Sequence, residues 1–203
     1  MTVEELVSLA PVVPVVVIED VEDAVPLAAA LVRGGLPAIE VTLRTDAALA
    51  AIERIAAEVD GAVVGAGTVT SAQQVEDVLA AGARFLVSPG ATPTLLDALQ
   101  ASGVPFLPGV ATASEIVALL ERGITHAKLF PAEVVGGIKA LKAFAGPFPQ
   151  LRFCPTGGIN AANARDYLAQ PNVVCVGGSW MTSGDVEAKA AEAAALTAAA
   201  VAG

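Results

Sequence analysis

The stretch VVPVVVIEDVEDAVPLAAALVRGG, residues 12–35, joins a valine-rich apolar run to an alanine-rich stretch that ends in two glycines. The run at 12–18 has the length and composition of a buried β-strand, and the apolar residues that follow recur at helical spacing. Asp20 stands where a side chain would cap a helix, and Gly34 stands where a left-handed residue would end it. This stretch therefore predicts one strand followed by one helix.

The same unit recurs along the chain. Four further helix-start signals are Ser71, Thr92, Thr112 and Asn160, and glycines stand at the predicted helix ends 82, 103 and 123. Seven more apolar runs that close on a glycine or proline turn lie at 38–44, 62–69, 85–90, 104–110, 126–132, 151–158 and 173–180. Eight strand-helix units require parallel strands with right-handed crossovers, which predicts one (β/α)8 TIM barrel domain over residues 1–203.

A doubly wound open sheet is the alternative arrangement of such units. Dinucleotide-binding sheets of that kind usually carry GxGxxG at the first strand-to-helix turn, whereas residues 17–23 read VIEDVED. We expect the leading segment VEELVSLA (3–10) to be an extra N-terminal helix closing the bottom of the barrel. Residues 183–202 should form the last outer helix.

Composition and charge limit the partners. Hydrophobic residues make up 55% of the chain, so part of its surface should be buried between subunits. The net charge of -10 repels phosphate backbones and anionic lipid, so we expect no nucleic acid and no membrane as partner. The start of the chain has no signal-like segment, and the apolar runs stop short of a membrane span. These features predict a soluble cytoplasmic protein, in which Cys154 and Cys175 are core residues rather than a disulfide.

The candidate chemistry lies at the carboxyl ends of the strands, where barrel sites are built. Because side chains alternate along a strand, Glu40, Thr42 and Arg44 share one face while Val41 and Leu43 suit the layer under the helices. The polar trio should therefore point inward. A structural ion pair between Glu40 and Arg44 is one explanation that the residue types leave open.

Lys128 is the second inward-facing charge. It is the one lysine of four that lies in a predicted strand, and its neighbours Ala127 and Leu129 suit packing against helices. Burial disfavours the charged form of an amine, and a neutral amine attacks carbonyl groups. Glu40 could then move the protons that imine chemistry requires, with no metal and no cofactor. The alternative is that Lys128 only neutralises Glu40 or binds an anion.

Two glycine turns predict a separate anion site. CPTGGIN (154–160) follows the seventh strand and VGGSW (176–180) ends the eighth, which is where barrels of this class often hold a phosphate. Glycines let backbone N–H groups converge on oxygen atoms, and Ser179 adds a hydroxyl donor. We therefore expect a phosphorylated substrate. His126, the single histidine, begins a strand and is expected to be structural.

The chain resembles the 2-keto-3-deoxy-6-phosphogluconate (KDPG) aldolases, some of which also cleave 4-hydroxy-2-oxoglutarate. The likeness rests on IEVTLRT, VGAGTV, VSPG, KLFPAE, CPTGGI and VGGSW, and runs from about residue 11 to 181. It implies a homotrimeric class I aldolase on a (β/α)8 barrel, with a phosphorylated 2-keto acid as substrate.

By motif, the resemblance assigns Lys128 to the Schiff base and Glu40 to acid/base chemistry. The other implied contacts are Arg44 and Thr68 at the pyruvate carboxylate, Pro89 and Phe130 along the pocket, and Thr156, Gly157, Gly158, Gly178 and Ser179 at the distal hydroxyl and phosphate end. Two alternatives remain: a sugar-phosphate isomerase or epimerase that forms no imine, and an oligomeric scaffold. The sequence leaves open the choice among gluconate-derived, galactonate-derived and 4-hydroxy-2-oxoglutarate substrates.

Overall fold

The computed structural model describes residues 1–196, which form an α/β fold on parallel strands. Every apolar run predicted to be a strand contains one, and the fifth is divided at Pro108. The strands are β1 Val12–Val16, β2 Ala38–Thr42, β3 Val63–Gly67, β4 Leu86–Val87, β5 Phe106–Leu107, β6 Gly109–Val110, β7 His126–Leu129, β8 Arg152–Pro155 and β9 Val176–Gly178. The strand predictions are thus confirmed, with shorter bounds.

Helices follow the strands as expected. They are α1 Val3–Val7, α2 Ala24–Arg33, α3 Ala48–Glu58, α4 Ala72–Ala80, α5 Pro93–Ala101, α6 Ala113–Glu121, α7 Gly137–Ala145, α8 Ala164–Leu168 and α9 Val186–Ala194, with a 3₁₀ helix at Val21–Asp23. Ser71, Thr92 and Thr112 accept hydrogen bonds from the third helical N–H, as N-caps do. The last helix was predicted over 183–202, whereas α9 spans Val186–Ala194; the predicted span from 197 to 202 lies outside the described residues.

Two predicted helix starts are wrong. Asp20 caps the 3₁₀ helix rather than α2. Asn160 does not cap α8, because its backbone N–H donates to Asn163 Oδ1 at 2.8 Å in a turn, and the helix begins after Asn163. At both starts the chain makes an additional turn before the α-helix. The predicted end of α2 at Gly34 is confirmed, but Gly34 remains right-handed at φ -76° and the left-handed residue is Gly35 at φ 90°.

The strands pair in a continuous, curled order. One sheet runs β5-β4-β3-β2-β1-β9 and a second runs β6-β7-β8. All ladders between the described strands are parallel, and β1 pairs with both β2 and β9. Two isolated bridges, Phe153 to Val173 and Thr156 to Gly177, connect the β8 and β9 regions. The described strands show none of the order reversal of a doubly wound sheet, so that alternative is wrong.

Side-chain alternation sorts the core into two clusters. Residues such as Val41, Leu129 and Phe153 face the helices in the larger cluster. The opposite strand faces carry a smaller cluster that includes Leu6 and Val7 of α1. Its other buried members are Val13, Ala38, Val63, Phe85, Val87, Leu107, Cys154 and Cys175. The inner face is thus apolar near the strand starts, and its polar residues lie further along the strands.

Within residues 1–196, no helix combines the length and apolar character needed to cross a membrane.

Candidate active site

Lys128 and Glu40 meet inside the curled sheet. Lys128 lies on β7 and Glu40 on β2, and the Nζ atom donates a hydrogen bond to Oε1 at 3.1 Å. Their side chains are 5% and 3% exposed. The Nζ atom also lies 5.2 Å from the centroid of the Phe130 ring, within cation–π range. An amine and a carboxylate are therefore held together in a nearly dry environment, which is the arrangement needed to attack a carbonyl and transfer protons.

Two glycines leave room for this pair. A Cβ atom on Gly67 of β3 would lie 2.2 Å from Glu40 Oε1, so the carboxylate occupies the volume that a side chain would take. Gly109 of β6 pairs in register with Lys128, and a Cβ there would lie 2.2 Å from the Pro89 carbonyl oxygen. Pro89 thus packs against the backbone beside the lysine. Larger residues at either glycine would displace a predicted site residue.

Arg44 lies at the mouth, beyond the end of β2. Its Nε donates to Thr68 Oγ1 at 3.4 Å, which brings together the two residues assigned to a carboxylate. Thr68 has a left-handed backbone at φ 59°, an uncommon conformation for a β-branched residue. The ion pair of Glu40 with Arg44 that the residue types left open does not occur, because Glu40 bonds to Lys128 instead. The third member of the inward trio, Thr42, donates its hydroxyl to the Val16 carbonyl at 3.1 Å.

A cavity of 310 Å³ opens at the carboxyl ends of the strands. It brings together seven predicted site residues: Arg44, Phe130, Thr156, Gly157, Gly158, Gly178 and Ser179. Gly157 and Gly158 are left-handed at φ 98° and 85°, so their N–H groups can turn toward one side of the chain. The other four predicted residues, Lys128, Glu40, Thr68 and Pro89, are not in its lining. Thr68 accepts a hydrogen bond from the lining residue Arg44, and Lys128 lies within cation–π range of the lining residue Phe130.

Four lining residues were not predicted. They are Val15, Val17, Ile159 and Gly177. Val15 and Val17 share the inward parity of Val13, so strand alternation could have identified them. Gly177 forms the bridge with Thr156, and a Cβ there would lie 2.2 Å from Thr156 Oγ1. Gly177 is the first glycine of the VGGSW motif (176–180), so the motif itself could have identified this residue.

Three further titratable core groups, His126, Cys154 and Cys175, are not in the lining of this cavity. His126 is 8% exposed at the start of β7, beside a separate 510 Å³ surface cavity. Burial lowers the pKa of His126, the Glu4 carboxylate opposes that shift and the Arg152 charge adds to it. Cys154 and Cys175 are free and buried, as expected. The hydrogen bond that the Cys175 thiol makes to Cys154, together with burial, raises the pKa of Cys175 well above its usual value, which disfavours a reactive thiolate.

Comparison with known proteins places this geometry in a family. The family model "KDPG and KHG aldolase" matches residues 3–198. A 2-dehydro-3-deoxy-phosphogluconate aldolase of Pseudoalteromonas atlantica is 54% identical, with 90% of this chain and 85% of the relative covered.

Two solved structures are similar over almost the whole chain. The 2-keto-3-deoxy-6-phospho-gluconate aldolase of Zymomonas mobilis has a TM-score of 0.95 at 48% identity, covering 98% of this chain and 100% of that one. The KDPG aldolase of Legionella pneumophila, solved with pyruvate captured as a covalent carbinolamine intermediate, has a TM-score of 0.87 at 47% identity, with 97% of each chain covered. This chain is therefore a member of the KDPG and KHG aldolase family of lyases.

Proposed function

We propose that this protein is a metal-independent class I aldolase that cleaves 2-keto-3-deoxy-6-phosphogluconate to pyruvate and glyceraldehyde 3-phosphate. The observation that carries the proposal is the buried contact of 3.1 Å between Lys128 Nζ and Glu40 Oε1. A buried ion pair contributes little net stability compared with apolar residues of similar volume, so its position in an otherwise apolar interior favours a chemical role. The carbinolamine in the Legionella relative supports the same chemistry.

The reaction begins when the Lys128 amine attacks the C2 ketone of the substrate. Glu40 supplies the proton that lets water leave the resulting carbinolamine, which gives a protonated imine. Glu40 then takes the C4 hydroxyl proton, and the electrons of the breaking C3–C4 bond flow into the imine. Glyceraldehyde 3-phosphate departs, C3 of the enamine takes a proton back, and water releases pyruvate and the free amine.

The other predicted residues hold the two ends of the substrate. Arg44 and Thr68 bind the carboxylate, while Pro89 and Phe130 shape the pocket around the imine. At the distal end Thr156 binds a hydroxyl, and the backbone N–H groups of Gly157, Gly158 and Gly178 bind the phosphate with the Ser179 hydroxyl. Arg44, Phe130 and the residues of the distal end line one 310 Å³ cavity, which supports this assignment.

The test is to trap the imine. The protein is incubated with pyruvate and sodium borohydride, and the intact and digested chains are weighed by mass spectrometry. We expect a reduced pyruvate adduct on Lys128. Lys128→Met should remove both the adduct and the turnover, because without the amine the covalent path is closed. Lys139→Met on α7 is the matched control and should behave as wild type; an adduct that persists without Lys128 would refute the assignment.

Substrate preference is tested by kcat/KM. The kcat/KM for KDPG should exceed the values for its galactonate-derived epimer and for 4-hydroxy-2-oxoglutarate. The latter lacks the phosphate and is the second substrate that we propose. A sugar-phosphate isomerase or epimerase would form no adduct, and a scaffold would turn over none of the three. Family membership and the buried amine both favour the aldolase over these alternatives.

We also propose that the curled sheet closes as a complete (β/α)8 barrel over one domain, residues 1–203, with α1 across its lower end. The contacts of Leu6 and Val7 with the inner cluster support that place for α1. A homotrimer in the cytoplasm is proposed in addition. Support for assembly between copies of the chain comes from the 55% hydrophobic composition and from exposed apolar side chains such as Val134, which is 82% exposed. Light scattering would test the trimer.

A further inference from the structure

The turn at Gly157–Gly158 is held by the segment that follows Lys128. The Ala132 N–H donates to the Thr156 carbonyl at 2.8 Å, and the Glu133 N–H donates to the Gly157 carbonyl at 3.1 Å. These bonds extend the pairing of β7 with β8 past the ends of both strands. The backbone of Glu133 is therefore fixed beside the turn.

The Glu133 side chain lies against the outer side of this turn. A Cβ atom on Gly158 would lie 2.4 Å from Glu133 Cγ, so the carboxylate stem occupies the space that a side chain at 158 would need. On the other side of the turn, Asn163 Nδ2 donates to the Gly158 carbonyl at 3.0 Å. Two consecutive left-handed glycines have the greatest backbone freedom of any dipeptide, so such contacts decide the shape of the turn.

Tyr167 of α8 fixes the carboxylate. Its hydroxyl donates to Glu133 Oε1, and the side chain is completely buried at 1% exposure. Burial, and then the hydrogen bond and charge of Glu133, raise the pKa of Tyr167 well above its ordinary value, which keeps the hydroxyl protonated as a donor. A Cβ on Gly137 would lie 2.6 Å from that hydroxyl, so this glycine gives the contact its room.

Neither side chain reaches the cavity. Among the described residues that line it, Gly157 and Gly158 are included while Glu133 and Tyr167 are not. A carboxylate this close to an anion site would repel a phosphate if it were free to rotate toward it. The tyrosine hydroxyl holds it on the far side of the turn.

We propose that Glu133 and Tyr167 are positioning residues that hold the Gly157–Gly158 turn in its anion-binding shape and thereby favour phosphorylated over unphosphorylated substrates. This inference rests on the proposed function, since it concerns the distal end of the same site. It assigns to these two residues a role in substrate discrimination, with no part in imine formation.

Tyr167→Phe tests the proposal, because it removes the hydroxyl and keeps the buried ring. We expect KM for KDPG to rise about tenfold with kcat within twofold of wild type. KM and kcat for 4-hydroxy-2-oxoglutarate should not change. Inorganic phosphate, used as a competitive inhibitor, should bind correspondingly more weakly, while inhibition by pyruvate is unaltered.

Glu133 provides a second variant that does not disturb the core, because its side chain is exposed. Glu133→Ala removes the contact and should raise KM for KDPG as Tyr167→Phe does. Glu133→Gln keeps an acceptor for the hydroxyl and removes the charge, so KM should stay at or below the wild-type value. Thermal unfolding of each variant checks that the fold is retained.

Equal losses on both substrates, or an unchanged KM for KDPG in both Tyr167→Phe and Glu133→Ala, would overturn the inference. A fall in kcat alone would do the same. Failure of the proposed function itself is separate, since then the wild-type protein would neither turn over KDPG nor form the pyruvate adduct.

Discussion

Gly67→Ala is the substitution that most directly tests the buried pair. The added Cβ would lie 2.2 Å from Glu40 Oε1 and 2.6 Å from Cγ, whereas real Cβ atoms essentially never approach another heavy atom within 3.0 Å. The carboxylate must therefore move by about 1 Å. Gly67 does not have a positive φ among the described glycines, so alanine adds no backbone strain and acts through Glu40.

The expected loss of catalytic activity follows from that displacement of the Glu40 carboxylate. The contact between Lys128 Nζ and Glu40 Oε1 is already 3.1 Å long, so a shift of this size breaks the hydrogen bond. Misplacing a catalytic group by about 1 Å can slow a reaction roughly 100-fold, which corresponds to about 2.7 kcal/mol of transition-state stabilisation. We expect kcat/KM for KDPG to fall by this order, measured by coupling pyruvate release to lactate dehydrogenase.

Two controls separate a displaced carboxylate from general damage. Gly146→Ala at the end of α7 adds the same methyl group where nothing lies within 4 Å and φ is -67°, so it should leave kcat/KM unchanged. In a Glu40→Ala background, Gly67→Ala should have little further effect, because the group that it displaces is gone. If Gly67→Ala alone stays within threefold of wild type, the carboxylate does not occupy the position described.

Two further substitutions test the mouth of the site and the pH dependence of the fold. Thr68→Gly should raise the free energy of unfolding in urea by about 1 kcal/mol, since glycine adopts φ 59° without strain. KM for KDPG should rise in the same variant, because Arg44 loses its hydrogen-bond acceptor. An unchanged KM would show that Thr68 does not belong to the carboxylate site. Burial lowers the pKa of His126 below its unfolded value, so the unfolded chain binds this proton more readily. The stability that His126 contributes is therefore present above about pH 6.5 and lost as pH falls through the lower folded pKa. His126→Gln should flatten urea stability between pH 7 and pH 5, and equal slopes in both proteins would contradict the assignment.

The alternation of side chains along the strands was the most informative feature of the sequence. It predicted that Lys128 and Glu40 lie on the inner face of the sheet and that Val41 and Leu129 face the helices. Both predictions are confirmed, because the first two residues form a buried ion pair and the last two belong to the larger core cluster. Period-two geometry is a local property of the backbone, so it can be read without knowing which strands are neighbours.

Contacts between distant segments could not be read in this way. The sequence left open an ion pair between Glu40 and Arg44, which is close along the chain, whereas the actual partner of Glu40 is Lys128 of β7. The contact between Glu133 and Tyr167 likewise depends on how α8 lies over the loop after β7. Asn160 also shows that cap spacing places a helix start only to within one turn when a second asparagine follows.

The pairing of β1 with β9 has a consequence for how the protein is made. Gly177 and Gly178 lie in register with Val13 and Pro14, so one wall of the proposed anion end is built from the first and last of the described strands. Contacts between such distant residues form late in folding, because the intervening chain must first be ordered. During synthesis, Lys128 and Glu40 are both made before β9, so their contact can form while the proposed phosphate site still lacks Gly178 and Ser179. The amine and the anion end of the proposed site are therefore completed at different stages of chain growth.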